Sequence, residues 1–187
     1  MITVFIRKLE HLNKEEEQNV INSLSQRALA RLNKKRNEAL RLASLCALSL
    51  LTDTQRADLD YTESGRPFFA TLDSDISISH SKERASIAIS ASKNELVGID
   101  IEDNSSLPGS LTRFFAENEQ RAVENGESPI AIWTKKEALF KHLKNDDIPF
   151  ISLDSAASDV KFTSVQMDNS ILTVCTSQDT EIEIIQK

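Results

Sequence analysis

The chain of 187 residues carries 22 Lys and Arg against 29 Asp and Glu, with 40% hydrophobic residues and only four Gly and four Pro. That balance suits one domain with a substantial core, or two small subdomains sharing one, and excludes collagen-like or long disordered tracts. A net charge of -7 argues against nonspecific nucleic-acid binding, and no segment is long and apolar enough to span a bilayer.

Residues 1–7 are β-branched and aromatic and predict an opening strand. They lack the basic start, long apolar run and small-residue cleavage site of a secretory signal, so a cytoplasmic protein is expected. Asn13 predicts the cap of a short acidic helix beginning at Lys14. Residues 23–51 contain no Gly or Pro and repeat leucine at helical spacing, which predicts one long helix or two joined near Asn33 and Lys34. Basic charge gathers there, at Arg31, Lys34, Lys35, Arg36 and Arg41. Residues 1–60 accordingly hold ten Lys and Arg against eight Asp and Glu, while the remainder is strongly acidic. Such a run is either a solvated helix face or a docking surface for an anionic ligand or acidic partner. Residues 53–62 are polar and predict a connection.

Gly65-Arg66-Pro67 breaks regular structure. Residues 75–81 alternate, with Ile76, Ile78 and His80 on one face and serines on the other. Residues 85–89 and 96–102 repeat the pattern, so three neighbouring antiparallel strands are expected. A loop over 104–110 contains Pro108 and Gly109; a helix over 114–125 ends at Gly126; Pro129 opens another that runs to about Lys144. Residues 160–167 and 171–177 predict a hairpin turning at Asp168 and Asn169, and 181–185 an edge strand. This order predicts an α+β fold with a rough internal repetition. Cys46 and Cys175 sit in apolar runs and predict buried free thiols.

Two stretches carry chemistry. In Val97-Gly98-Ile99-Asp100-Ile101-Glu102, alternation sends the aliphatic residues into a core and both acids to the other face. In Trp133-Thr134-Lys135-Lys136-Glu137-Ala138-Leu139-Phe140-Lys141, Glu137 and Lys141 share a face of a helix apolar enough to be buried. Taken singly, the acids are an ordinary exposed edge and Glu137 with Lys141 an ordinary surface pair. Packed together, Asp100, Glu102 and Glu137 suit Mg²⁺, which takes a few carboxylates and leaves room for phosphate oxygens, with Lys141 as the cation on that phosphate. His80 among serines is an ionisable group at a strand end, with no orienting acid for nucleophilic catalysis. Arg66 sits on a turn from which a guanidinium can grip phosphate.

Together these motifs resemble the 4'-phosphopantetheinyl transferase superfamily, specifically its surfactin-synthetase-activating type. The resemblance covers about residues 65–141: Gly65-Arg66-Pro67, Ser79-His80-Ser81, Gly98 to Glu102, Phe115 with Glu119, and Trp133 to Lys141. It implies two similar α+β subdomains, residues 1–95 and 96–187 of a single domain, related by a pseudo-twofold with the site between them. It implies transfer of phosphopantetheine from coenzyme A to a serine of an apo acyl or peptidyl carrier protein, the holo-carrier synthase reaction, with release of adenosine 3',5'-bisphosphate. Asp100, Glu102 and Glu137 would hold Mg²⁺, and Glu137 or a metal-bound water would take the serine proton. Asp100, Glu137 and Lys141 form the implied catalytic set. His80, Arg66, Ser79, Lys136, Lys141 and Arg41 would bind coenzyme A. The second signature acid, Glu102, implies a monomer carrying both half-sites. One departure stands out: family members often have glycines shortly after the helix lysine, whereas this chain reads His142-Leu143-Lys144-Asn145-Asp146-Asp147. The alternatives are an Mg-dependent hydrolase of a nucleotide pyrophosphate and a noncatalytic coenzyme A or carrier-binding module.

Overall fold

A computed structural model describes residues 1–104, 109–145 and 147–187; most of the expected 104–110 loop, and Asp146, fall outside the described residues. The fold is α+β, and its described residues form two main sheets and a separate two-stranded ribbon. In the first, β1 (Ile2–Lys8) pairs antiparallel with β5 (Arg84–Ser90), which pairs with β4 (Ile76–His80). On its other side β1 pairs parallel with β9 (Ile182–Gln186), so the C-terminal edge strand returns to the sheet that opened the chain. The second sheet has the order β6 (Val97–Asp103), β8 (Ser170–Thr176), β7 (Lys161–Met167), all antiparallel, with the expected hairpin turn between β7 and β8.

The three-strand expectation for residues 75–102 is corrected here: β4 and β5 pair, but β6 belongs to the second sheet. β6 still lies alongside β4, joined through side chains. Asp75 and Ser77 accept from the backbone nitrogens of Val97 and Ile99 at 2.9 and 3.1 Å, and Ser79 and Ser81 donate to Asp100 and Asp103, each at 2.7 Å. The polar face of β4 is therefore the seam between sheets. Its serines are buried yet supplied with partners.

Ile2, Val4 and Ile6 of β1 meet Val97, Ile99 and Ile101 of β6 between the sheets. The opposite face of the first sheet, with Phe5, Ile87 and Ile89, packs beneath α1 (Lys14–Ser23), α2 (Gln26–Asn33) and α3 (Glu38–Ser49). Each helix starts on a side-chain cap, Asn13, Ser25 and Asn37 respectively, worth about 1 kcal/mol apiece. The break at 34–37 decides between the one-helix and two-helix readings, and it moves Lys35 and Arg36 off the helix into the link. Residues 53–62 are not a bare connection. Thr52 and Gln55 form a capping box that starts α4 (Asp53–Asp58), and β2 (Leu59–Tyr61) pairs with β3 (Pro67–Phe69).

In the second half, Gly109–Phe114 is a 3-10 turn, and α5 (Glu117–Glu124) starts later than the 114 expected because Glu119 accepts from the Ala116 nitrogen at 2.7 Å. Gly126, with φ of +99°, ends that segment. Helix α6 (Pro129–Leu143) then lies on the face of the second sheet away from the shared core, against Cys175 and Leu153. Both cysteines are buried and free; burial pushes the Cys175 thiol up to about 12. Among the described residues no helix is long and apolar enough to cross a membrane.

Candidate active site

The site begins at Gly98. A Cβ there would collide with the Ala138 carbonyl and come within 2.6 Å of the His142 nitrogen, so only glycine lets β6 touch the backbone of α6. Two residues along the same strand face, Asp100 is thereby brought to the helical turn that carries Glu137 and Lys141. The Lys141 ammonium donates to Asp100 Oδ1 at 2.7 Å and to Ser79 Oγ at 3.0 Å, and Ser79 Oγ donates to the same Oδ1 at 2.7 Å. Asp100 Oδ2 is buried and has no hydrogen-bond partner among the described residues. Burial, reinforced by the charge of Asp100 and offset by Lys141, raises the Glu137 carboxyl above the ordinary range. Glu137 makes no hydrogen bond or ion pair among the described residues. Glu102 follows Asp100 on the same face, half-buried and with partners of its own.

Not every expected residue gathers there. Lys136 points to the opposite side of α6. It is wholly buried, donates to Glu119 at 2.8 Å and to the Leu153 carbonyl, and lies 5.5 Å from the centre of the Phe150 ring. The Phe115-to-Glu119 and Trp133-to-Lys141 motifs are thus joined by an internal ion pair, beside which Trp133 packs against Phe114 and Phe150. Arg41 pairs with Glu17 at 3.4 Å, and Arg66 donates to the Phe140 carbonyl at 3.0 Å while stacking on the Phe140 ring. That guanidinium caps the last turn of α6, whose carbonyls have no helical partners.

From the Lys141 cluster a cleft runs along β4. One chamber, about 180 Å³, is lined by Arg31, Lys35, His80 and Tyr61; the next, about 390 Å³, by Arg66, Ile76, Glu137, Phe140, Lys141 and Lys144. They share Gly65, Pro67 and Ile78, so the two adjoin. Burial, then the neighbouring Lys35 and Lys141, push the His80 imidazole below its usual value. Lys35 is likewise lowered by burial and by Arg31. A chamber of this charge suits an anion, which would relieve both repulsions. Arg31, held over the Tyr61 ring at 4.7 Å and against Gly65, and Lys35 are cleft residues that the residue-by-residue site expectation omitted. Their only sequence signal was the basic run from Arg31 to Arg41.

The comparisons with known proteins bear on this second half directly. Residues 96–183 match the 4'-phosphopantetheinyl transferase superfamily. No curated protein matches the chain. The superfamily match spans β6 through the start of β9 and includes Asp100, Glu102, Glu137 and Lys141, while Arg66, Ser79 and His80 lie before it. It supports phosphopantetheine transfer as the general chemistry of that stretch.

Members of this superfamily work with a divalent cation. Among the described residues no three His, Cys, Asp or Glu side chains form a ready cation cluster. The donors nevertheless suit a hard ion: a buried carboxylate oxygen on Asp100 without a hydrogen-bond partner among the described residues, close enough to Glu137 for the two carboxylates to feel each other's charge. Magnesium keeps several waters or phosphate oxygens and needs few protein ligands.

Proposed function

We propose that this protein transfers 4'-phosphopantetheine from coenzyme A to a serine of an apo acyl or peptidyl carrier protein, as a monomeric cytoplasmic enzyme of the surfactin-synthetase-activating type. The observation that carries the reading is the buried Asp100 carboxylate, half satisfied by Lys141 and half open beside Glu137, inside the superfamily match. Arg31, Lys35 and His80 receive the nucleotide phosphates in the basic chamber. The pyrophosphate then lies at the Lys141 turn, where the ammonium shifts from Asp100 to the phosphate oxygens. Asp100, Glu137 and Glu102 would hold Mg²⁺, which neutralises charge on the pyrophosphate when bound. Glu137, or a water held beside it, takes the proton from the attacking serine hydroxyl. The serine oxygen forms a bond to the pantetheine-side phosphorus, and the bond from that phosphorus to the bridging oxygen breaks. Adenosine 3',5'-bisphosphate leaves with the electron pair.

Incubation with coenzyme A, Mg²⁺ and a panel of apo carrier proteins tests this by mass spectrometry. One or more carriers should gain a phosphopantetheine. Hydrolysis of coenzyme A without a carrier would instead support the hydrolase, and binding without product the noncatalytic module.

A further inference from the structure

Adjacent residues of a strand face opposite ways, and β4 divides its side chains accordingly. Ile78 and His80 border the basic chamber, whereas Ser79, only 6% exposed, borders neither chamber and meets Asp100 across the seam. Its backbone is fixed by the pairing of β4 with β5, where Ser79 stands opposite Ser86. The hydroxyl is therefore mounted on a rigid element.

A serine hydroxyl has one proton to donate and lone pairs to accept with. Ser79 gives its proton to Asp100 Oδ1 at 2.7 Å and accepts from the Lys141 ammonium at 3.0 Å, while Lys141 also donates to Oδ1 at 2.7 Å. Among the described residues both donors to the Asp100 side chain thus converge on one oxygen, and Oδ2 is left open. Two residues on, past the end of β4, the same arrangement is closed. Ser81 and Ser170 both donate to Asp103 Oδ1, and the Lys82 nitrogen fills Oδ2. A carboxylate turns easily about its last torsion. Once Lys141 leaves for a phosphate oxygen, Ser79 is the donor that still holds the Asp100 carboxylate in one orientation.

We propose that Ser79 is a positioning residue: in place of the direct contact with coenzyme A expected of it, its hydroxyl locks the Asp100 carboxylate so that Oδ2 is presented to the divalent cation. An outer hydrogen bond of this kind on a ligand carboxylate is worth about 10–100-fold in metal affinity. The inference rests on the placement of the cation in the transfer reading above.

The test is Mn²⁺ binding to the full chain with coenzyme A present and no carrier, read from the loss of the free-ion paramagnetic resonance signal above the background of coenzyme A alone, in the wild type, Ser79→Ala and Ser79→Thr. The alanine variant should bind Mn²⁺ about tenfold more weakly, and the threonine variant, which keeps the hydroxyl, close to wild type. Calorimetric affinity for coenzyme A in EDTA should be the same in all three. In the transfer assay, the Mg²⁺ concentration that gives half the maximal rate should rise by the same factor in Ser79→Ala, with kcat at saturating Mg²⁺ little changed. If Ser79→Ala does not fold, Ser79→Cys, with only a weak donor, takes its place. Unchanged Mn²⁺ affinity in the variant overturns the proposal, as does an equal loss in Ser79→Thr, which would trace the effect to packing. Affinity for coenzyme A in EDTA that falls with the hydroxyl also overturns it, by making Ser79 a direct contact. A wild type that binds Mn²⁺ as expected but modifies no carrier, while active controls do, overturns the transfer reading and leaves the role of Ser79 standing.

Discussion

Helix α6 carries two lysine–carboxylate pairs five residues apart, and they are built to opposite specifications. Lys136 and Glu119 are both wholly buried, and every oxygen of Glu119 is engaged: one by Lys136 and the Ala116 nitrogen, the other by the Ser155 nitrogen and hydroxyl at 2.9 and 2.7 Å. Lys141 and Asp100 are less complete. Lys141 keeps a quarter of its side chain exposed, one Asp100 oxygen takes two donors, and the other takes none. A filled network fixes the position of one element against another; an unfilled one, beside Glu137, is a place for something the chain does not itself supply. The same contrast separates neighbours on β6. Asp103 accepts from Ser81, Lys82 and Ser170, whereas Asp100 is left short.

The predictions follow that division. Asp100→Ala should lower phosphopantetheine transfer by about 10³-fold, the scale on which removal of a positioned charged group acts, while the thermal midpoint stays within a few degrees of wild type; a large drop in midpoint would make Asp100 structural. Lys136→Met should do the reverse. It strands the buried Glu119 charge and should cost about 3–5 kcal/mol in denaturant unfolding, with transfer per folded molecule close to wild type. Gly98→Ala drives a methyl into the helix backbone, which should destabilise by about 3 kcal/mol and separate β6 from α6, so both stability and transfer fall.

The smallest expected effect is a pH dependence at His80. Its folded-state imidazole binds a proton less readily than the unfolded one, mainly through burial and the charge of Lys35. The unfolded chain therefore takes up more protons as pH falls through the ordinary imidazole value, and stability declines in that window until the lowered folded value is passed. His80→Gln should flatten part of the decline. His142, also lowered by burial, supplies a remainder that the variant does not remove.

Much of this was legible in the sequence because it is local. Period-two alternation in 97–102 placed the aliphatic residues in the core and Asp100 on the helix side, and four-residue spacing put Glu137 and Lys141 on one face of α6. Asn13 was readable as a cap from a single residue and its acidic followers. Nonlocal features were hidden. Nothing in 75–81 says that its serines bond to a strand of another sheet, since a polar face has the same period whether it meets water or a buried seam. The Lys136 side chain was equally obscure: on a helix apolar on most sides, adjacent residues diverge by about 100°, and only the packing of Glu119 shows which way is inward. Arg66 reads as a phosphate-facing turn residue, yet its donor to the Phe140 carbonyl is visible only once α6 ends beside it.

The most direct test of the central claim, that the unfilled pair works and the filled pair holds, is one mass-spectrometric transfer assay run with coenzyme A, Mg²⁺ and an accepting carrier on wild type, Asp100→Ala and Lys136→Met, each normalised to folded protein. Modified carrier with wild type and Lys136→Met but not with Asp100→Ala is the predicted result. Equal modification by wild type and Asp100→Ala would contradict it.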